Sequence, residues 1–178
     1  MGDVPREAAE PVNASRSTIR AALIAGSIAI GINTALLAAA DLIPLVTARG
    51  GLLKLIGQFV SPALSHAGVG LAWVGLGLPV PGGTTFQLGF HVVVGLAMAV
   101  LYGVALEPLL HGRPWFKGLL YAAAVWLANA FVILPWLGEG VAGSRNLTAP
   151  GMLYFAAAHT VFFVLLAVLF AHLVRTRS

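Results

Sequence analysis

The chain has 178 residues, of which 59% are hydrophobic and 9% are charged, and its mean hydropathy is +0.93. A soluble globular domain carries roughly 25% charged residues, so this composition excludes a water-soluble fold and indicates a chain covered by lipid. The net charge of +4 comes without a basic patch large enough for nucleic acid. The absence of cysteine excludes disulfides, thiolate metal sites and a cysteine nucleophile.

The predicted elements begin with a polar tail over residues 1–18, which we expect to be flexible and cytoplasmic. The first apolar run, residues 19–43, exceeds the approximately 20 residues that a membrane-spanning helix needs. A signal peptide is the alternative, because Arg16 and Arg20 precede the run and the alanines at 38–40 resemble a cleavage site. The run is longer than the roughly 7–15 apolar residues of a signal core, which favours a span.

A long connection over residues 45–87 follows the first span. Within it, residues 52–60 are a candidate short helix lying in the membrane interface. Residues 69–80 are apolar and glycine-rich but too short to span a bilayer. We interpret residues 69–80 as a loop that caps the bundle, with a re-entrant segment as the alternative.

Three further apolar runs, each close to the length needed to cross about 30 Å, complete the predicted fold. They occupy residues 88–107, 118–137 and 152–174. The runs are continuous and do not alternate, which argues against a β-barrel. The sequence therefore predicts an all-α fold, a four-helix transmembrane bundle in a single domain over residues 19–176. The long connection between helices 1 and 2 is predicted on the outer side.

The positive residues predict the orientation, because Lys and Arg are enriched in the cytoplasmic flanks of membrane spans. One side of the predicted bundle carries Arg6, Arg16, Arg20, Arg113, Lys117, Arg175 and Arg177. The other side carries Arg49, Lys54 and Arg145. This asymmetry predicts that both termini lie in the cytoplasm.

Two histidines, His91 and His159, lie inside apolar runs, where a polar side chain is costly and usually faces the bundle interior. Helices 2 and 4 run in the same direction in an up-and-down bundle, so both histidines are expected at similar depth in the outer half. Asp41 in helix 1 and Asn129 in helix 3 are expected in the same half, and Asn33 is expected deeper. This convergence predicts a buried polar site in which Asp41 and Asn129 orient the histidine pair.

Small residues indicate that His91 faces protein. Gly95, Ala99 and Gly103 follow His91 at i+4 spacing, and small residues at this spacing allow a second helix to come close. The same face of helix 2 is therefore predicted to pack against a neighbouring helix. The facing of His159 is left open by its aromatic neighbours Phe155, Phe162 and Phe163.

The other polar residues near the inner end are predicted to be structural. Glu107 is expected to pair with Arg113 or Lys117. His111 and His172 lie near the predicted inner surface, where histidine is usually solvated. The tryptophans and tyrosines fit interfacial belts or core packing.

Three interpretations of the histidine pair stay open. The pair binds a small ligand, a proton or a metal ion, with Asp41 as a further metal ligand. Alternatively it holds one haem b in an electron carrier, since two imidazoles on facing helices can ligate iron from both sides. In the third interpretation the histidine pair only fixes the register of the helices. The protein is then a structural or accessory subunit that packs on a membrane-protein partner or on its own copies. The chain has no P-loop, dinucleotide-binding or metalloprotease motif, which favours a non-enzymatic role.

Three stretches of the second half carry a further signal: FHVVVGLAMAVLYGVALEPLL, FKGLLYAAAVWLANAFVILPWLGEG and YFAAAHTVFFVLLAVLFAHLVR. Together they resemble the YagU-like group of bacterial inner-membrane proteins over about residues 86–176. The matching positions are His91, Tyr102, Glu107, Gly118, Pro135, Gly138 and His159. The resemblance implies a multi-pass protein of the bacterial inner membrane with the two histidines as a paired feature, and it implies no particular reaction.

Overall fold

Four long helices form the part of the chain that the computed structural model describes, namely residues 10–43, 83–145 and 147–176. Helix α1 spans Glu10–Ala39 and continues into a 3₁₀ turn, Ala40–Leu42. Helix α2 comprises an α-helical stretch Thr84–Leu101, a π-helical segment Tyr102–Leu106 and a last turn Glu107–Leu109. Helix α3 comprises Pro114–Ala128, a π-helical segment Asn129–Ile133 and a last turn Leu134–Trp136. A 3₁₀ turn, Val141–Gly143, leads to helix α4, Ala149–Arg175.

The lengths and compositions of these helices confirm the predicted all-α, four-helix fold. Four stretches are long and apolar enough to cross a membrane: Arg16–Ala39, Thr85–Leu109, Pro114–Trp136 and Ala149–Arg175. The candidate interfacial helix at 52–60 and the apolar segment at 69–80 lie outside the described residues. The chain is thus a multi-pass helical protein with apolar faces suited to contact with lipid.

The helices begin earlier than the apolar runs predict. Helix α1 begins at Glu10, within the predicted tail, and Pro11 in its first turn has no N–H that would need a partner there. Helix α4 begins at Ala149, where the Thr148 side chain accepts a hydrogen bond from the Gly151 N–H. The first turn of each of these two helices contains a proline, Pro11 in α1 and Pro150 in α4, so hydropathy alone places the helix start too late.

Helix α1 packs closely and antiparallel against α2. A Cβ atom added to Gly26 would lie 2.5 Å from the Ala99 side chain, and one added to Gly95 would lie 2.5 Å from Ile30. Gly103 lies on the same face of α2 and is buried. Gly26 therefore permits an approach between α1 and α2 that a larger residue would prevent, whereas a larger residue at Gly95 would require the Ile30 side chain to move.

Helix α4 packs on both α1 and α3 and carries much of the core. Phe163, Leu166 and Ala167 of α4 are almost fully buried. At Gly118 of α3, an added Cβ atom would lie 2.6 Å from the backbone oxygen of Phe163.

Helices α2 and α3 meet through Tyr102, whose ring stacks on the Tyr121 ring with centroids 6.0 Å apart. This contact lies toward the end of the bundle where α1 begins and α4 ends. We call this the terminal end of the bundle, and we call the opposite end the far end.

Each π-helical segment ends two residues before a proline. Tyr102–Leu106 precedes Pro108, and Asn129–Ile133 precedes Pro135. Proline has no N–H to donate and its ring crowds the preceding turn, so the wider π turn accommodates it without breaking the helix. Such segments occur frequently at functional sites, and here each one begins with a polar residue, Tyr102 or Asn129.

Candidate functional site

A hydrogen-bonded chain of three residues joins α2, α1 and α4. His91 lies about two turns from the far end of α2, and its Nε2 atom is 3.0 Å from Oδ1 of Asn33. The Asn33 amide nitrogen Nδ2 donates to the backbone oxygen of Ala158 at 2.8 Å. Asn33 is only 1% exposed, so these bonds lie within the bundle and fix three helices at one level.

His159 lies beside this chain. Its Nδ1 atom is 2.9 Å from the backbone oxygen of Phe155, one turn earlier in α4. The His159 and Phe155 rings pack with centroids 4.1 Å apart. The centroids of the His91 and His159 rings are 6.4 Å apart, with planes at 80°. The two histidines expected at similar depth are therefore neighbours.

The hydrogen-bond partners determine which ring nitrogen carries the proton. The Ala158 carbonyl can only accept, so the Asn33 atom facing it is the amide nitrogen, and Asn33 Oδ1 is the acceptor for His91. Neutral His91 therefore carries its proton on Nε2 and a lone pair on Nδ1. The Phe155 carbonyl likewise requires the proton of neutral His159 on Nδ1, which leaves a lone pair on Nε2.

Two acceptor nitrogens are thus available in the bundle. In the described part of the chain, neither His91 Nδ1 nor His159 Nε2 has a hydrogen-bond partner. Both nitrogens can accept a hydrogen bond or coordinate a metal ion. The geometry therefore offers a ligand two neutral acceptors, each on a ring whose N–H is already engaged.

Asn129 forms no hydrogen bond with either histidine in the described part of the structure. Asn129 lines a small cavity between α3 and α4 with Trp126, Met152 and Phe155. Because the Phe155 ring also packs on His159, Asn129 lies next to a neighbour of the pair. Its predicted orienting role stays a prediction.

Asp41 lies at the end of α1, as its place in the first apolar run predicts. Its backbone belongs to the 3₁₀ turn Ala40–Leu42, about 12 Å beyond Asn33 along the helix axis, and its side chain is outside the described part of the structure. Among the described residues, no group of three or more His, Asp or Glu side chains is placed to hold a metal ion. Among the described side chains of α1, Asn33 forms the hydrogen bond with His91.

The sequence predicts that Asn33 lies deeper in the membrane than the histidine pair. The sequence nevertheless contains a pattern that indicates the contact of Asn33 with His91. Asn33 and His91 each end a helical face of small and apolar residues. The face on α1 consists of Ala22, Gly26, Ile30 and Asn33, and the face on α2 consists of Gly103, Ala99, Gly95 and His91. Aligning the two faces antiparallel pairs Asn33 with His91.

A second polar cluster lies near the terminal end. Lys117 Nζ is 2.7 Å from Glu107 Oε1 and also donates to the Glu107 backbone oxygen at 3.2 Å. The Tyr102 hydroxyl donates to Glu107 Oε2. The pairing of Glu107 with Lys117 confirms one of the two expected partners. Because Glu107 follows the π segment of α2 and Lys117 lies in the first turns of α3, the cluster clamps the two helices together.

No family model matches the chain, and neither a curated protein nor a solved structure is significantly similar to it. The fold and the cluster together define a class, a multi-pass helical membrane protein with a partly buried cluster of His91, Asn33 and His159. Membership of the YagU-like group stays a prediction that rests on the sequence stretches of α2, α3 and α4.

Proposed function

We propose that this chain is a non-enzymatic protein of the bacterial inner membrane whose histidine pair binds a small ligand or a metal ion. One observation carries the proposal. His91 and His159 are neighbours within an apolar bundle, and each has one ring nitrogen engaged and the other available as an acceptor. Polar groups within a membrane span usually mark a functional site.

The orientation in this proposal puts both termini in the cytoplasm and the histidine pair nearer the outer face. Its support is the distribution of charge. Among the described residues, the basic side chains at the terminal end are those of Arg16, Arg20, Arg113, Lys117 and Arg175, whereas Arg145 lies at the far end. Cytoplasmic loops carry the excess of Lys and Arg, so the terminal end is assigned to the cytoplasm. Membership of the YagU-like group is part of the same proposal.

A structural or accessory subunit is the second candidate, and a specific observation favours it. Asn33 accepts from His91 and donates to Ala158, so a single side chain links three helices. In this alternative the histidine is a clasp that holds helix register, and the protein acts by packing against a membrane partner or its own copies. The clasp accounts for His91 but gives no role to the available nitrogen of His159.

The two candidates are distinguished by purifying the protein in mild detergent and identifying what accompanies it. Wild type is compared with the double variant H91Q/H159Q, in which glutamine at 91 can still donate to Asn33. An optical spectrum detects haem by its Soret band, elemental analysis detects a metal, and native mass spectrometry detects an organic ligand. The variant H172Q, at an exposed histidine near the terminal end, is the matched control.

We expect wild type and H172Q to carry the same occupant and H91Q/H159Q to lack it. If the occupant absorbs in the Soret region, the group bound by the histidine pair is a single haem. If wild type and H91Q/H159Q fold equally well and carry the same complement, the binding proposal is wrong and the clasp remains.

A further inference from the structure

We propose, resting on the function proposed above, that the occupant of the histidine pair is a single two-coordinate Cu⁺ ion. Its ligands in this proposal are His91 Nδ1 and His159 Nε2. These are the two ring nitrogens that have no hydrogen-bond partner among the described residues. The chemistry is that of a soft monovalent cation held by two neutral imidazoles.

The hydrogen bonds on the opposite side of each ring are those that metal-binding histidines make. A histidine that ligates a metal almost always donates its other N–H to a carboxylate, a backbone carbonyl or water, which fixes the ring and raises its basicity. His159 donates from Nδ1 to the Phe155 carbonyl at 2.9 Å. His91 donates from Nε2 to the side-chain carbonyl of Asn33 at 3.0 Å. Both rings are therefore oriented before any ion arrives.

The separation of the rings favours ligands arranged in line. A metal ion about 2 Å from each of two imidazole nitrogens places the ring centres roughly 6 Å apart when the ligands are in line, and roughly 5 Å apart at a tetrahedral angle. The observed centroid separation is 6.4 Å. The separation of the ring centres is therefore close to that expected for two ligands in line and larger than that expected at a tetrahedral angle.

Charge and ligand number select a monovalent ion. A charge inside a bilayer is costly, and no described carboxylate contacts either ring. Zn²⁺ in proteins is almost always four-coordinate, and the described residues supply no third or fourth ligand of the usual types. Imidazole binds copper well, and Cu⁺ carries one charge and accepts two ligands in line.

The test is a metal titration of the purified full-length chain in mild detergent. Cu⁺ is kept reduced under anaerobic conditions with ascorbate, and its affinity is read by competition with a chromophoric Cu⁺ chelator. Ag⁺, which has the same charge and is not oxidised by air, is titrated separately as a redox-inert probe. The proteins compared are wild type, H91Q, H159Q and the control H172Q, and circular dichroism with thermal melting verifies that each is folded.

We expect wild type and H172Q to bind one Cu⁺ or Ag⁺ ion per chain, and H91Q and H159Q each to bind at least tenfold more weakly. H91Q is the sharpest variant, because glutamine at 91 keeps a donor for Asn33 while it removes the imidazole nitrogen. Equal affinity in folded wild type and folded H91Q or H159Q would overturn the proposal, as would a wild type that binds neither ion.

Failure of this inference is distinguishable from failure of the proposed function. A wild type that binds neither ion but carries another occupant absent from H91Q/H159Q refutes copper and leaves the binding site standing. A wild type that matches the double variant in both the titration and the occupant analysis refutes both.

Discussion

Asn33 contributes two hydrogen bonds to the site. Its amide nitrogen and oxygen are both used, one toward Ala158 and one toward His91. The dipole of one amide therefore sets the tautomer of His91 and the relative height of three helices. Without Asn33, the N–H of His91 would have no acceptor among its described neighbours.

Asn33→Leu should destabilise the protein by about 1 kcal/mol, the scale of a hydrogen bond between membrane helices. Leucine has a similar volume, so the loss would report the two hydrogen bonds and not a cavity. The measurement is reversible unfolding in mixed micelles.

The matched control is Asn129→Leu on helix α3, because no hydrogen bond joins Asn129 to His91 among the described residues. The control should leave the ¹⁵N signals of His91 unchanged, whereas Asn33→Leu should shift them. Equal stability of wild type and Asn33→Leu would contradict the role assigned to Asn33.

The sequence predicts the two histidines as neighbours but not the residue that connects them. His91 and His159 are identifiable because histidine is rare in apolar runs, and their depth follows from counting residues along parallel helices. The partner of His91 depends on which α1 side chain faces it, and depth alone favoured Asp41 over Asn33. The positions of Gly26 and Gly95, which set the α1–α2 register, resolve this choice.

At the scale of the helices, close approach depends on particular glycines. Gly118 faces the backbone of α4, and an added Cβ would lie 2.6 Å from Phe163 O and 2.7 Å from Val164 Cα. Backbone atoms cannot rotate away as a side chain can. Gly31 lies in the middle of α1, and a Cβ added there would have no atom within 4 Å.

Gly118→Ala should cost about 1–3 kcal/mol, since the clash forces α3 and α4 apart. Gly31→Ala should be neutral or stabilising by up to about 1 kcal/mol, because alanine loses less conformational freedom in a helix. Thermal unfolding of both variants in the same detergent checks the difference. A Gly118→Ala protein as stable as Gly31→Ala would show that the α3–α4 contact is looser than described.

The clamp between α2 and α3 is an element-scale feature with its own test. The Glu107 and Lys117 side chains are 25% and 11% exposed, so a lone charge there is partly desolvated. Glu107→Gln should cost about 1–3 kcal/mol, the range for a lost charged hydrogen bond. The double variant E107Q/K117M should be more stable than E107Q, because removing both charges leaves none unpaired.

The measurement is a double-mutant cycle, in which the stabilities of wild type, E107Q, K117M and E107Q/K117M are compared. Additive losses across the cycle would mean that Glu107 and Lys117 do not interact.

The π-helical segments mark the limit of prediction at this scale. Pro108 and Pro135 indicate that α2 and α3 are disturbed near their ends, since proline removes a helical hydrogen bond. They do not indicate whether the helix kinks, stops or widens into a π turn. That choice depends on packing around Tyr102 and Asn129, which a single sequence does not reveal.

For the molecule as a whole, apolar length determines most of the fold. The composition and four continuous apolar runs suffice to predict a four-helix bundle, because a span must satisfy its backbone hydrogen bonds internally. The arrangement in which α4 packs on both α1 and α3 depends on side-chain shape, and hydropathy contains no such information. Orientation remains a prediction from charge.

The orientation is testable because the chain has no cysteine. The single-cysteine variants His66→Cys and Arg113→Cys are each labelled in intact cells with a membrane-impermeant maleimide. We expect label at position 66 and none at position 113 until the membrane is permeabilised. Label at position 113 alone would invert the topology and put the histidine pair nearer the cytoplasm.

The central claim is that the histidine pair presents two acceptor nitrogens, His91 Nδ1 and His159 Nε2. The most direct measurement is ¹⁵N NMR of histidine-labelled protein in lipid bilayers, with signals assigned through H91Q and H159Q. We predict that the ligand-free protein has neutral rings with the proton on Nε2 of His91 and on Nδ1 of His159, and that added ligand shifts the other nitrogen of each ring. Protons on Nδ1 of His91 or Nε2 of His159, or signals that no ligand moves, would contradict this account.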